Sequence, residues 1–335
     1  MHWTLSILTI PERFEYITKL LDSIESIKIP VSTELCVNII CNKKNSKSNI
    51  NVLKKLTRNY SKFETQIFVN DGDTSISGGR QFALSCVLSP LMAFIDDDCT
   101  IHGDIFSDFE DAFYNKTVAF LGLPSYQENT DILFKPRANT PQQKINGLLY
   151  MPIQGMCVAG YTSIFKILGG FNARRKFWGE WTEFNLRALR NGYPSAYIMD
   201  KSFMRHWHKA PNSPTRNMEE RELHVLWGIM CTALEYKAIE IDAATASFWQ
   251  LIESRYLQYS FGDKLSYKRL FSSFLKLLPM LIEEWDRIKN FQQAVSKHKF
   301  QFTPFYDLTK EEYQEVIDYA EIILKPFKSA VFQYE

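Results

Sequence analysis

Apolar runs and helical spacings alternate through the first hundred residues. "WTLSILTI", from Trp3 to Ile10, predicts a buried strand that Pro11 closes. In "ERFEYITKLLDSIESI" the apolar positions are Phe14, Ile17, Leu20, Leu21 and Ile24. That three-and-four spacing predicts an amphipathic helix, ended by Pro30. "ELCVNIIC" predicts a second strand, followed by the polar run "NKKNSKSN". A helical stretch around "INVLKKLTRNY" leads to a third strand, "TQIFVN". "DGDTSISGGRQFALSCVLSP" then reads as a loop opening into a helix, and "LMAFI" as a fourth strand that stops at three aspartates. Strand–helix alternation of this kind predicts a mainly parallel α/β sheet flanked by helices.

The pattern changes twice further on. From about residue 115 to 175 the strands shorten ("TVAFLGLP", "GMCVAGYTSIF") around a long polar connection. From about 219 glycine becomes rare and the spacing turns helical, in stretches near 219–257 and 264–295. The expected organisation is an α/β domain over 1–215 and a helical region over 216–335, divided near "KAPNSPTRN". One part of that region, "KRLFSSFLKLLPMLIEEW", is amphipathic and basic. Such a stretch lies on a membrane surface, packs on its own domain, or forms an acceptor-side wall or an oligomer contact.

Composition narrows the class. The 335 residues are 45% apolar and 23% charged, as expected of a globular chain with a sizeable core. A formal net charge of +1 gives no broad electrostatic grip on nucleic acid. The six cysteines have no C-x-x-C spacing and sit mostly in apolar runs, so they read as core residues of a reducing compartment. The N-terminus has no basic flank or cleavage site and reads as a strand, and no run is long enough to span a bilayer. A cytoplasmic protein, in peripheral membrane contact at most, is the expectation.

Three places carry chemistry. In "MAFIDDDCTI" a buried strand delivers Asp96, Asp97 and Asp98 to the edge where parallel sheets bind ligands. Three adjacent carboxylates repel one another, and hard oxygen ligands suit Mg²⁺ or Mn²⁺. If the segment stays extended, Asp96 and Asp98 point the same way. In "GGRQFALS" glycines ahead of a helix admit a phosphate to backbone N–H groups, with Arg80 as a charged fork. In "MRHWHKAP" His206 and His208 lie two apart and share a side of an extended segment. A fourth stretch, "FWGEWTEFNLRALRNGY", puts Glu180, Glu183 and Arg187 on one helix face, with Trp181 beside the first glutamate.

Taken in order, these stretches resemble the family 2 glycosyltransferases and their relatives of the GT-A fold, from about residue 4 to 210. "SILTIPERFEYITKLLDSI" is similar to the family's opening strand and helix, and "GGRQFALS" to its glycine-rich turn. "FIDDDC" resembles the D-x-D element. "GMCVAGYTSIFKILGGFN" ends in the family's Gly-Gly-Phe-Asn, and "WGEWTEFNLRALRNGY" resembles its W-G-E-D-x-E-F-x-x-R element. The resemblance implies a transferase moving a sugar from a nucleotide-sugar donor, UDP- or GDP-type, to a glycan, lipid-linked or protein acceptor. Surface polysaccharide or glycoconjugate synthesis is the implied setting.

By the same resemblance, Thr9, Pro11, Glu12, Arg13, Asn42, Gly79, Arg80, Asp96 and Asp97 border the donor. Asp98 and Asp96 hold Mn²⁺ or Mg²⁺ together with His206, or with His208 in its place. Two departures matter. The second strand ends "IICNKK", so Cys41 and Asn42 stand where the family has a base-contacting aspartate. Trp181 stands where inverting relatives carry the aspartate that deprotonates the acceptor. Glu180 or Glu183 is then the base, or no base acts there, as in retaining relatives with a neutral residue at this place; lost activity is the remaining reading. Trp181 suits the apolar face of a sugar ring or a packed core. The rival classes are a non-catalytic sugar-nucleotide or glycan binder and a D-x-D phosphotransfer enzyme, whose motif belongs on a first strand.

Overall fold

A computed structural model describes residues 1–44, 47–114, 118–127, 143–145, 147–151, 153, 155–177, 179–190, 193–199, 201–207, 223–224, 227–228, 231 and 275–288. His208, the expected boundary near 215 and most of the two C-terminal helical stretches lie outside these residues.

Four strands form the predicted parallel half of the sheet: β1 (His2–Thr9), β2 (Glu34–Cys41), β3 (Glu64–Val69) and β4 (Leu91–Asp96). β1 pairs with β2 and β4 in parallel, with Leu8 opposite Asp96 and Thr9 opposite Cys41. The order β3-β2-β1-β4 reverses direction at β1. In open α/β sheets such a switch point opens a crevice beyond the carboxyl ends of the strands.

Alternation along β1 sends its side chains to two different layers. On one face, Trp3 packs against Phe106 and Phe109 of α4 (Ile105–Tyr114), with ring centroids 5.7 Å apart. That layer also holds α1 (Phe14–Ser26), whose buried stripe is Phe14, Ile17, Leu20, Leu21 and Ile24, the predicted set, and α2 (Ile50–Thr57). On the other face lie α3 (Ile76–Ser85), α5 (Thr162–Ile167) and α6 (Glu180–Arg190). They cover Phe94 of β4 and Phe120 of β6 (Phe120–Gly122).

Beyond β4 the sheet is mixed. The full order is β3-β2-β1-β4-β10-β6-β11-β9-β8, where β8 is Gln143–Ile145, β9 Leu148–Tyr150, β10 Cys157–Tyr161 and β11 Ser195–Ile198. β10 runs antiparallel to both β4 and β6. A second sheet of three strands, β5 (Cys99–His102), β12 (Phe203–His206) and β7 (Ser125–Gln127), stands beside the carboxyl edge. Its antiparallel β5–β12 register sets His206 opposite Cys99.

No described helix is long and apolar enough to cross a membrane. Within the amphipathic C-terminal stretch, residues 275–288 are helical; Leu277 and Ile288 are buried, Leu275 and Ile282 exposed. Glu284 of this helix accepts a hydrogen bond from Arg174 Nε at 2.7 Å, which ties it to the loop before α6. No disulfide joins the cysteines; Cys41, Cys99, Cys157 and Cys231 are buried and Cys36 and Cys86 half-buried, as core residues would be.

Candidate active site

The three aspartates do not form one extended row. β4 ends at Asp96, and Asp97 and Asp98 make the tight turn into β5. The expected convergence of Asp96 and Asp98 is therefore replaced by a division between two arginines. Asp96 turns toward α3, where Arg80 Nη2 donates to its Oδ1 at 3.0 Å. Asp97 and Asp98 turn toward α1, where Arg13 Nη2 lies 2.7 Å from Asp97 Oδ1 and 2.5 Å from Asp98 Oδ2. Guanidinium groups thus offset the like-charge repulsion within the chain itself.

Arg13 reaches the aspartates because of the local chain path. Pro11 at the start of a 3-10 turn, Pro11–Arg13, suits its fixed φ, and Arg13 N donates to Ile10 O at 2.9 Å. The turn leaves β1 next to β4, so its last side chain spans the gap between neighbouring strand ends. Glu12, in the same turn, forms an ion pair with Lys43 across the ends of β1 and β2.

Arg80 is fixed differently. The helix α3 begins at Ile76, capped by Ser75, whose hydroxyl accepts from Gly78 N at 3.1 Å. Gly78 and Gly79 therefore lie inside the first turn of the helix, not ahead of it as expected. A Cβ on Gly79 would lie 2.7 Å from both Asn42 Nδ2 and Leu8 Cδ1. The glycine lets α3 press onto the ends of β1 and β2, and that close approach buries Arg80 under the sheet edge. There Arg80 Nη1 pairs with Glu180 while Nη2 holds Asp96, and its guanidinium carbon lies 5.2 Å from the Trp181 ring centroid.

Asn42 is committed to the same packing. Its Nδ2 donates to Thr74 O at 2.9 Å and to Ser75 O at 3.3 Å, and its Oδ1 accepts from Asn70 at 2.8 Å. Its backbone N donates to Thr9 O at 2.7 Å. The side chain that stands in the expected base-contact region is thus engaged in holding the loop before α3.

Trp181 is a core residue. It is 6% exposed and packs edge-on against Phe171 at 4.9 Å, Phe184 at 5.7 Å and Phe94 at 5.8 Å. A Cβ on Gly155 would fall 1.8 Å from its ring, so the indole fills the space beside that backbone. Asn185 locks the turn of helix beneath it by donating to Trp181 O at 2.6 Å and to Ile153 O at 3.0 Å.

The two glutamates of α6 point to different tasks. Glu180 is drawn into the aspartate network through Arg80. Glu183, 2% exposed, takes a two-pronged contact from Arg187, at 2.9 Å through Nε and 2.9 Å through Nη2. Arg187 in turn donates to Leu168 O and, at 2.7 Å, to Gly170 O. Gly169 and Gly170 both have positive φ (81° and 67°), so this ion pair clamps the Gly-Gly-Phe-Asn turn. It does not reach the aspartates.

His206 comes to the cluster through the small sheet. Its Nε2 lies 3.4 Å from Asp98 Oδ1, and Trp207 N donates to Asp98 O at 2.8 Å. Asp98 thus gives one oxygen to Arg13 and faces the imidazole with the other. Burial opposes the charge on Asp98, but His206 and Arg13 outweigh it and hold its carboxyl below the usual range. Burial likewise opposes the charge on His206, yet Asp98 raises it above the ordinary value. Burial pushes Asp97 up to about 8, with Arg13 only partly offsetting it. Asp96 is also raised by burial against the pull of Arg80, though its side chain is 34% exposed and water moderates that effect.

Donor atoms of Asp98, Cys99 and His206 lie within 4.8 Å of one another. Cys99 carries no signal in the sequence, where it reads as one more small core residue after the aspartates. Its burial and the nearby carboxylates raise its thiol far above the ordinary value, which keeps it protonated and a poor partner for a hard cation. Asp98 and His206 are the pair that fits Mn²⁺ or Mg²⁺. A cavity of about 340 Å³ opens at the opposite, amino-terminal edge, lined by Trp3, Thr4, Cys36, Asn38, Cys86 and Ser89 among others. It contains none of these candidate residues.

A mainly parallel sheet with its acidic cluster at the switch point, flanked by helices and by a small second sheet, is the GT-A fold of glycosyltransferases. Solved structures bear this out. TarS 1–349 of S. aureus aligns with a TM-score of 0.56 at 13% identity, over 100% of this chain and 91% of that one. The same protein in complex with UDP aligns at 0.51. GalNAc-T7 with UDP, GalNAc and Mn²⁺ aligns at 0.51 and 13% identity, over 84% of this chain and 57% of that one. At such identities the likeness is one of fold. No protein-family profile matches the chain. No curated protein matches it.

Proposed function

We propose that the chain is a metal-dependent glycosyltransferase that takes a nucleotide-sugar donor, of the UDP type, and passes the sugar to a glycan, lipid-linked or protein acceptor in surface polysaccharide or glycoconjugate synthesis. One observation carries the reading: Arg13, Asp96, Asp97, Asp98 and His206 gather beyond β1 and β4 at the switch point of a GT-A sheet. The UDP type is carried over from TarS, solved with UDP and with UDP-GlcNAc, and from GalNAc-T7, solved with UDP.

Asp98 and His206, with Asp96 beside them, would hold the divalent ion. Bound there, such an ion neutralises the charge that builds on a diphosphate leaving group. The chain's own residues supply the rest. Thr9, Pro11, Glu12 and Arg13 line the turn that borders the nucleoside. Arg80 keeps a fixed positive charge at the sheet edge and orients both Asp96 and Glu180. Glu180 is the α6 carboxylate joined to this network, so it is the group we assign to the acceptor hydroxyl. Glu183 holds the Gly-Gly-Phe-Asn turn through Arg187, and Trp181 is the floor beneath both.

A second reading, a non-catalytic nucleotide-sugar binder, is favoured by one feature. Both α6 carboxylates are occupied by an arginine partner, and Trp181 cannot take a proton. The phosphotransfer reading loses ground because the aspartates end the fourth strand, not the first.

Calorimetric titration with UDP, GDP and UDP-GlcNAc in the presence of Mn²⁺, paired with an assay for UDP release, separates these readings. Binding of a UDP compound with release of UDP is the expected result. Binding without release under any acceptor would favour the second reading. Absence of binding by every nucleotide would sink both.

A further inference from the structure

We propose that Arg13 is the resident counter-cation of the aspartate cluster and couples metal binding to donor binding. Its guanidinium holds Asp97 and Asp98 until a nucleoside diphosphate arrives. It then releases them to the divalent ion and turns to the phosphate oxygens. This rests on the metal-site reading above and assigns a new role within it.

The two arginines of the site differ in the way such an exchange requires. Arg80 uses two nitrogens on two carboxylates, is 7% exposed and lies over Trp181, so it is a fixed cation. Arg13 makes both of its carboxylate contacts through a single nitrogen, Nη2. Its buried Nε has no hydrogen-bond partner among the described residues, and Nη2 meets the carboxylates as an ion pair without hydrogen-bond geometry. Neither two-pronged edge of the guanidinium is therefore matched to a single carboxylate. Asp97 Oδ2 is likewise buried with no hydrogen-bond partner among the described residues, on a residue 2% exposed. The resting pair is thus under-satisfied on both sides, and each partner keeps the capacity to bind something else.

Position favours the exchange too. Arg13 is the last residue of a short turn and the first cap of α1, with backbone at φ −123° and ψ 11°. Its side chain keeps 13% exposure, so it can turn outward without unpacking a helix. Asp98 Oδ2, the oxygen it covers, belongs to the same carboxylate that faces His206. A cation entering beside His206 meets a carboxylate whose charge is already half answered. Bare metal binding is then weak, and it strengthens once a diphosphate draws Arg13 away.

The test is Mn²⁺ binding by calorimetry on the full chain, with and without saturating UDP and corrected for the Mn²⁺–UDP complex in solution. For the wild type, UDP is expected to tighten Mn²⁺ binding about tenfold or more, a typical coupling between linked sites. Arg13→Gln is expected to bind Mn²⁺ alone about tenfold more tightly, because one positive charge has left the cluster, and to lose most of the UDP effect. Arg13→Lys, which keeps the charge, is expected to stay near the wild type in Mn²⁺ binding without UDP. If Arg13→Gln fails to fold, Arg13→Lys decides: it keeps the charge but offers phosphate no two-pronged contact, so it is expected to lose much of the UDP effect, and full retention of that effect would overturn the proposal. Equal wild-type Mn²⁺ affinity with and without UDP would overturn the proposal. So would an Arg13→Gln variant that binds Mn²⁺ no better than the wild type. In either case loss of Mn²⁺ binding in Asp98→Asn would leave the metal site standing. No Mn²⁺ binding by the wild type under either condition would remove the metal site and this proposal together.

Discussion

Replacing Arg80 by methionine removes the charge that joins α3, β4 and α6 while keeping most of the side-chain volume. The cost follows from what is left behind. Glu180, with 11% side-chain exposure, loses its Arg80 partner and becomes an uncompensated carboxylate near the core. Breaking a buried pair from one side costs about 3–5 kcal/mol. Asp96, at 34% exposure, keeps access to water and adds little, as exposed pairs contribute about 0–1 kcal/mol. Loss of the contact over Trp181 adds about 0.5–1 kcal/mol. Arg80→Met should therefore destabilise the fold by about 3.5–7 kcal/mol. Glu180→Gln is milder, about 1–2 kcal/mol, because Arg80 still has Asp96. The double variant should cost less than the sum, by about 1.5–2 kcal/mol, since neither side is then left charged and alone. Urea unfolding followed by circular dichroism measures all four proteins. Additivity of the two single changes to within about 0.5 kcal/mol would refute the pairing as the link between α3 and α6.

Restoring the family's aspartate by Trp181→Asp should not restore a base; it should cost at least about 4 kcal/mol, from the cavity among Phe94, Phe171 and Phe184 and the carboxylate placed in it. Thermal unfolding with a parallel transfer assay checks this, and a stable, faster variant would contradict it. Gly79→Ala should destabilise by about 1–3 kcal/mol, because its Cβ meets Asn42 and Leu8 at 2.7 Å; an unchanged melting temperature would contradict the close approach of α3. His206 is raised by Asp98, so in metal-free protein its contribution to stability is fully present below its unfolded value of 6.5 and is lost as pH rises through its higher folded value. Asp98 is lowered, so its contribution is present above 3.8 and is lost as pH falls through its folded value. With EDTA present, the stability deficit of His206→Asn should thus be larger near pH 6 than near pH 8, roughly; a deficit that does not change with pH would contradict the pairing.

The parallel half of the fold was legible because its strands are apolar runs and its helices keep a clean three-and-four spacing. The five buried positions of α1 are those the periodicity named. The later strands, three to five residues long, carry too little pattern to order, and their mixed directions follow from long-range pairing that local sequence does not encode. Within the site, the aspartates were visible as a charge cluster at a strand end. Their two counter-ions were not, because Arg13 comes from the turn after β1 and Arg80 from α3, and both meet the aspartates only through the sheet order. The glycines of "GGRQ" were misplaced by a turn, since a helix cap at Ser75 has the same local composition as a loop. Trp181 was ambiguous for a related reason: a tryptophan looks alike in sequence whether it lies on a sugar or on Phe171. The apposition of Gly155 and three phenylalanines decides it.

The central claim is that the cluster around Asp98 serves a nucleotide-sugar donor. Its most direct measurement is release of UDP from a panel of UDP-sugars with Mn²⁺ and mixed glycan acceptors, comparing the wild type with Asp98→Asn. Release by the wild type is expected, with a fall of about a hundredfold or more in the variant, the loss typical of removing a direct charge-stabilising group. Equal release by the two proteins, with the variant folded, would contradict it.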